Sequence, residues 1–220
     1  MADRMTPVVV LGLGRFGTAL ALELVRRGAE VLAVDRDPAV VQRLAGHIGQ
    51  VVAADTTDRE ALEELGAQDF DRAVVAIGSD QHASILTTAL LDELGVESIW
   101  AKGLDRQHAR ILRRVGAHHV VLPEEEMGVR VAHLVSGEVG DYLQVSRDWV
   151  LATAHPPQEL VGVPLGESGL RRRHRVTVVS VKHAGAEEYT YADASTTLAY
   201  GDEVLLAGRT ADVDRFVRTR

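Results

Sequence analysis

Gly12, Gly14 and Gly17 stand at the spacing G-x-G-x-x-G, and an acid, Asp35, follows about 20 residues later. Together these residues can cradle a phosphate chain and hold a ribose. Gly12 makes a tight turn, Gly14 lets a diphosphate approach the backbone, and Gly17 lets a helix lie close on a strand. The helix start adds unpaired N–H groups and partial positive charge, both suited to phosphate. A carboxylate at Asp35 accepts free 2′ and 3′ hydroxyls and disfavours a 2′-phosphate, which selects NAD-like or adenine nucleotides over NADP. Arg15 lies inside the loop, where dinucleotide enzymes seldom need a charge. A long cation there reaches a terminal phosphate, or reaches across to a neighbouring subunit's nucleotide. Arg36, beside Asp35, is either a solvated turn residue or a cation over the adenine face.

These residues need elements to hold them. Val8 to Leu11 reads as a buried parallel strand, followed by a helix to about Arg27 that stops at Gly28. Val31–Val34 forms a second strand ending at Asp35, and a helix runs from Pro38 to about His47. A third strand, Val51 to Asp55, ends on another acid, and Thr57 or Asp58 caps the helix after it. Strands at Ala73–Ile77, Ile99–Lys102 and Val120–Leu122 alternate with helices at 80–94 and 105–115, and Gly78 closes the fourth strand. The pattern predicts an α/β, Rossmann-type doubly wound parallel sheet in the order 3-2-1-4-5-6. A ligand then sits at the carboxyl ends of the strands, where the glycine loop, Asp35, Asp55 and Ile77-Gly78 converge. A helix from Glu124 to about Ser136 carries Met127, Val131 and Leu134 on one face, and a flexible junction at 137–141 follows. Beyond it, strands at 150–154, 176–181, 189–192 and 203–207, a short helix within 165–173 and a terminal helix at 211–217 predict a small α+β C-terminal domain. The expected division is 1–137 and 138–220.

Composition narrows the function. The formal net charge of −8 argues against a nucleic-acid partner, and the absence of cysteine excludes disulfides, thiol nucleophiles and thiolate metal sites. No signal peptide is expected at the start, and no apolar run reaches the roughly 18 residues of a membrane span. A hydride-transfer enzyme would also need a nicotinamide site, a substrate domain and an acid or base. His155, His174 and His183 are scattered without a companion pattern. His118 and His119 are adjacent at a strand start and face opposite sides, so they do not form a metal pair. No catalytic set is visible.

Five stretches carry a family resemblance: VVLGLGRFG at 9–17, VLAVD at 31–35, VVAIG at 74–78, IWAK at 99–102, and Pro123-Glu124 followed by Met127-Gly128. In order and spacing they resemble the potassium-conductance regulatory (RCK/KTN) domain family, and within it the cytosolic regulatory subunits of bacterial Ktr and Trk potassium-uptake systems. The resemblance implies a cytoplasmic, non-enzymatic subunit that binds ATP or ADP and gates a membrane-embedded potassium-transporting subunit from its inner face. It implies dimers assembled into an octameric ring. Carried over, the nucleotide site comprises Gly12, Leu13, Gly14, Arg15, Phe16, Gly17, Asp35, Arg36, Asp55, Thr56, Ile77 and Gly78. Asp55 and Thr56 end the strand beside the adenine, and Arg15 senses the γ-phosphate of the adjoining subunit. Glu124 matches an acid that helps hold a cation, magnesium or another, near the phosphates. The alternative for Glu124-Glu125-Glu126 is an acidic helix start that complements the dipole. Several relatives bind cyclic di-AMP in the C-terminal domain. Leu170-Arg171 matches that region, but Arg172, Arg173 and Arg175 crowd a segment that often has a glycine before the strand. Two rivals remain. One is an NAD-dependent oxidoreductase or NAD(H)-sensing regulator; the other, a redox-sensing transcription factor, lacks a DNA-reading element.

Overall fold

The computed structural model describes residues 6–135, 140–146 and 148–218. The chain divides into two compact units, Met1–Glu125 and Glu126–Arg220. In the first unit, strands β1 (Val8–Leu11), β2 (Val31–Asp35), β3 (Gln50–Ala53), β4 (Arg72–Val75), β5 (Ser98–Lys102) and β6 (His119–Val121) alternate with helices. These are α1 (Arg15–Arg26), α2 (Pro38–Leu44), α3 (Arg59–Glu64), α4 (Gln81–Glu93) and α5 (Arg106–Arg114). The strands order as β3-β2-β1-β4-β5-β6, the doubly wound order expected. All pairings in this sheet are parallel.

The apolar runs form these strands because helices cover both sheet faces. Val9, Leu11, Leu32, Val34, Val75 and Ile99 face Leu62 of α3, Leu91 of α4 and Leu112 of α5. Val8, Val10, Val31 and Ala33 face Ala21 of α1 and Leu44 of α2. Side-chain caps start the helices cleanly. Asp37, Asp58, Asp80 and Asp105 each accept a hydrogen bond from a first-turn N–H. Strand order reverses between the paired strands β1 and β4, so the glycine loop opens at this switch point.

Helix α6 (Pro123–Val135) begins before the division between the units and continues after it. The reading from sequence placed this helix wholly in the first domain. Among the described residues its apolar stripe is largely uncovered: Met127, Val131 and Val135 are exposed, Leu134 is half-buried, and none of its residues is buried. The expected junction at 137–141 lies largely outside the described residues.

The second unit holds β7 (Asp141–Ser146), β8 (Trp149–Ala154), α7 (Leu170–His174), β9 (Val176–Lys182), β10 (Thr190–Tyr191), β11 (Glu203–Arg209) and α8 (Thr210–Val217). The strands form an antiparallel sheet in the order β10-β9-β11-β8-β7. Its core joins Val150, Ala152, Val178, Val204 and Leu206 to Leu160, Leu170, Val213 and Phe216. Strand β7 was not anticipated. It is an edge strand that buries only Tyr142 and leaves Leu143 and Val145 exposed, so its alternation is faint. Asp202, buried in the turn before β11, accepts from the N–H groups of Ala184 and Ala199 and contacts His183 Nδ1 at 3.0 Å. It ties together the ends of three segments.

Arg175 ends α7 at φ 59°, the only described non-glycine residue with positive φ. A left-handed conformation costs a residue with a Cβ about 1–2 kcal/mol, part of which glycine returns through its own greater chain entropy when unfolded. Arg175→Gly should therefore stabilise the protein by about 0.5–1 kcal/mol, read as an upward shift in the denaturant midpoint. A destabilised variant would mean that the Arg175 side chain contributes more than its backbone costs.

Candidate functional site

The glycine loop is assembled from three strand ends. At its entrance, Gly12 has φ 96°, and a Cβ there would meet Ile77 at 3.0 Å. Gly12 N–H donates to the Val34 carbonyl at 2.8 Å, and Ala76 N–H donates to the Leu11 carbonyl at 2.7 Å. At the far side of the loop, a Cβ on Gly17 would collide with the Gly12 carbonyl oxygen. Between them, Gly14 caps α1 without a side-chain hydrogen bond, and open space surrounds its missing Cβ. No acid stands in the first turn of α1. The three glycines thus do three different jobs, and only the middle one faces an opening for a ligand.

Asp35 holds this loop from β2. One of its carboxylate oxygens accepts from Leu13 N–H at 2.6 Å and the other from Asp37 N–H at 2.9 Å. The loop is closed from inside by Thr18, whose hydroxyl donates to the Leu13 carbonyl at 2.8 Å. Asp35 therefore positions the phosphate loop itself, and each oxygen keeps acceptor capacity for a ligand hydroxyl.

Lys102 is the charged residue that the sequence reading missed. It ends β5, and its side chain is only 11% exposed. Its ammonium donates to Glu124 Oε1 at 2.7 Å. The same nitrogen lies 5.9 Å from the centre of the Phe16 ring and 3.0 Å from where a Gly78 Cβ would stand. The Lys102 hydrogen bond holds the Glu124 carboxyl below the usual carboxylate range, and the charge of Arg15 acts in the same direction. Arg15, Phe16, Gly78, Lys102 and Glu124 therefore share one neighbourhood beside the glycine loop. Glu124 thus has one of the chain's own lysines beside it. The only sequence sign of it was a lysine closing an apolar strand.

A second group of charges borders the β2, β3 and β4 ends. Arg36 Nη1 lies 4.0 Å from Asp80 Oδ2. Asp55 accepts from the hydroxyl and N–H of Thr57, which lower its pKa, with a smaller contribution from Arg36. Strand β3 stops at Ala53, so Asp55 and Thr56 lie in the turn beyond it rather than at the strand end. Thr56 is also turned inward. Its buried hydroxyl is 3.0 Å from Thr87 Oγ1, and the Thr87 hydroxyl donates to the Thr56 carbonyl at 3.1 Å. These bonds dock the turn on α4. His119 stacks on Trp100 with ring centres 4.1 Å apart, while His118 Nδ1 accepts from Ile99 N–H, so the adjacent histidines do diverge.

Among the described residues no three His, Cys, Asp or Glu side chains are grouped for a metal ion, and no helix is long and apolar enough to cross a membrane.

Comparison with known proteins follows the same division. The TrkA-N domain model matches residues 8–123 and the TrkA-C domain model residues 150–219. The Ktr system potassium uptake protein A of Vibrio alginolyticus is 38% identical over 200 residues, 90% of each chain. The Ktr system potassium uptake protein C of Bacillus subtilis (strain 168) is 36% identical over 209 residues, 94% of each chain. In structure, the GsuK channel bound to NAD superposes with a TM-score of 0.68 at 20% identity, over 99% of this chain. The chain spans 40% of that channel's length. Both domains and nearly the whole length are accounted for: the protein belongs to the TrkA-N/TrkA-C family of potassium-uptake proteins, the family that its sequence resembles.

Proposed function

We infer that this chain is the nucleotide-binding regulatory subunit of a potassium-uptake system, with ATP and ADP competing for the glycine loop of the first unit. The observation that carries this reading is the placement of two cations: Arg15 follows Gly14 at the open start of α1, and the buried Lys102 lies near Phe16 and Gly78. A polyphosphate needs this much positive charge; a hydride-transfer site would need an acid or base instead, and we assign none. The potassium-uptake relatives support the physiological setting. The partner we assign is a membrane-embedded potassium-transporting subunit, approached from the cytoplasmic face, and the assembly a homo-oligomer of dimers in an octameric ring. ATP and ADP would favour different ring states through their differential contacts. NAD(H) is the second reading, favoured by the GsuK channel bound to NAD. Mass spectrometry of the ligand that co-purifies decides between them. Sustained NADH oxidation on a panel of small carbonyl compounds would overturn the regulatory assignment.

Arg15 supplies the sharper test. Arg15→Ala should leave ADP affinity nearly unchanged and weaken ATP by about ten-fold or more, since a charge-assisted contact of roughly 1.5–3 kcal/mol is made only with the γ-phosphate. Calorimetry with both nucleotides reads the difference. Equal weakening would make Arg15 a loop-stabilising residue.

For a divalent cation at the phosphates, Glu124 is the fitting donor. It is 61% exposed and hydrogen-bonded to Lys102 through Oε1. One carboxylate with phosphate oxygens and water suits magnesium. Magnesium should tighten ATP binding, and Glu124→Gln should remove most of that effect, as read by ATP titration with and without the ion. An identical magnesium effect in both proteins would leave Glu124 without a cation role.

In the second unit, cyclic di-AMP is the ligand that the resemblance suggests. A cavity of about 470 Å³ lined by Leu170, Arg171, Arg172, Thr177 and Asp193 supports a phosphate-bearing ligand there.

A further inference from the structure

We propose that Glu124 is a built-in competitor for ligand phosphate: an entering di- or triphosphate takes the Lys102 ammonium from Glu124 and so releases the first turn of α6. This rests on the nucleotide reading above and adds to it the regulation of that site.

The starting point is a mismatch of burial within one ion pair. Lys102 is 11% exposed at its side chain, whereas Glu124 is 61% exposed. A buried ammonium needs an anion beside it, because leaving it unpaired carries a large desolvation cost. A carboxylate at the surface is readily hydrated. When a second anion reaches this lysine, the partner able to leave is Glu124.

The ligand anion would arrive at the same nitrogen. Lys102 Nζ lies against Gly78 and near Phe16, at the mouth of the glycine loop. Phosphates lying on Gly14 and the α1 start would reach it past Phe16, the second residue of α1. Phosphate carries more charge than a carboxylate and more oxygens to accept from the three ammonium protons. A ligand without phosphates offers nothing to exchange.

The consequence lies in α6. Two ion pairs fasten its first turn: Lys102 with Glu124, and Arg106 with Glu125. Both cations come from one short segment, the end of β5 and the start of α5. Helix α6 buries none of its described residues, so its own packing adds little to this attachment. Breaking the first pair leaves the start of the helix held by an exposed one, which is weak. The boundary between the two compact units falls immediately after Glu125, so the exchange acts on the stretch of chain that joins them.

The test uses the full-length protein in EDTA. ADP and adenosine are titrated by calorimetry into the wild type and Glu124→Gln, and hydrogen exchange is followed across residues 123–130 of the wild type with and without ADP. Glu124→Gln should bind ADP tighter, on the order of three- to ten-fold, as the release of a partly exposed ion pair predicts. Adenosine binding should not change. ADP should speed exchange in the first turn of α6 of the wild type. Equal or weaker ADP binding by a folded Glu124→Gln protein overturns the exchange while leaving the nucleotide site standing. So does slower exchange at 123–130 on adding ADP, an outcome that decides the matter even if the variant does not fold. A wild type that binds no ADP overturns both readings together.

Discussion

Alanine at Gly17 will remove nucleotide binding and lower stability by about 3 kcal/mol or more, the largest effect expected of any single methyl in this protein. The reason is local and steric. The added Cβ runs into the carbonyl oxygen of Gly12, which is backbone and has no rotamer to move into. Gly12 itself is constrained by its contact with Ile77 and its hydrogen bond to Val34. Relief therefore requires α1 to lift away from the sheet, which opens the phosphate loop and the Val8, Val10 and Ala21 packing beneath it. A shift in the denaturant midpoint reports the stability, and calorimetry with ADP reports the site. Alanine at Gly14 is the matched control, since a Cβ there meets nothing within 4 Å. It should fold normally and impair only the approach of phosphate. If Gly17→Ala were as stable as the parent, the close helix–strand approach would not be what the third glycine provides.

Methionine at Lys102 should keep the fold and weaken ADP and ATP alike, by about ten- to a hundred-fold. That is the loss of a charge-assisted hydrogen bond of roughly 1.5–3 kcal/mol. Methionine fills a similar volume, and the Glu124 left behind is exposed enough to be hydrated, so no buried charge is stranded. The pattern distinguishes Lys102 from Arg15, whose loss should fall on ATP alone. Calorimetry with both nucleotides is again the measurement. Unchanged affinity for both would show that the lysine serves only to hold Glu124.

The phosphate-loop motif and the first sheet could be read directly in the chain. Runs of valine, leucine and isoleucine between capping aspartates and terminal glycines prescribe strand and helix within ten or so residues. Gly12, Gly14, Gly17 and Asp35 belong to one β1–α1–β2 unit and to a known motif, so their spacing alone determines that they meet. The sheet order follows because right-handed crossovers leave few alternatives. What the tertiary structure decided concerns pairs that no motif links. Lys102 and Glu124 are 22 residues apart, and Thr56 and Thr87 are 31 apart. No local pattern says that a lysine closing β5 meets the acid opening α6, or that Thr56 is buried against Thr87 of α4. The edge strand β7 was hidden for a related reason. It buries one side chain, so its place depends on pairing with β8 rather than on its own alternation. Local propensity sets the elements and the glycine loop, while the charge partners beside that loop are fixed only when distant strand ends and helix starts are brought to the same edge of the sheet.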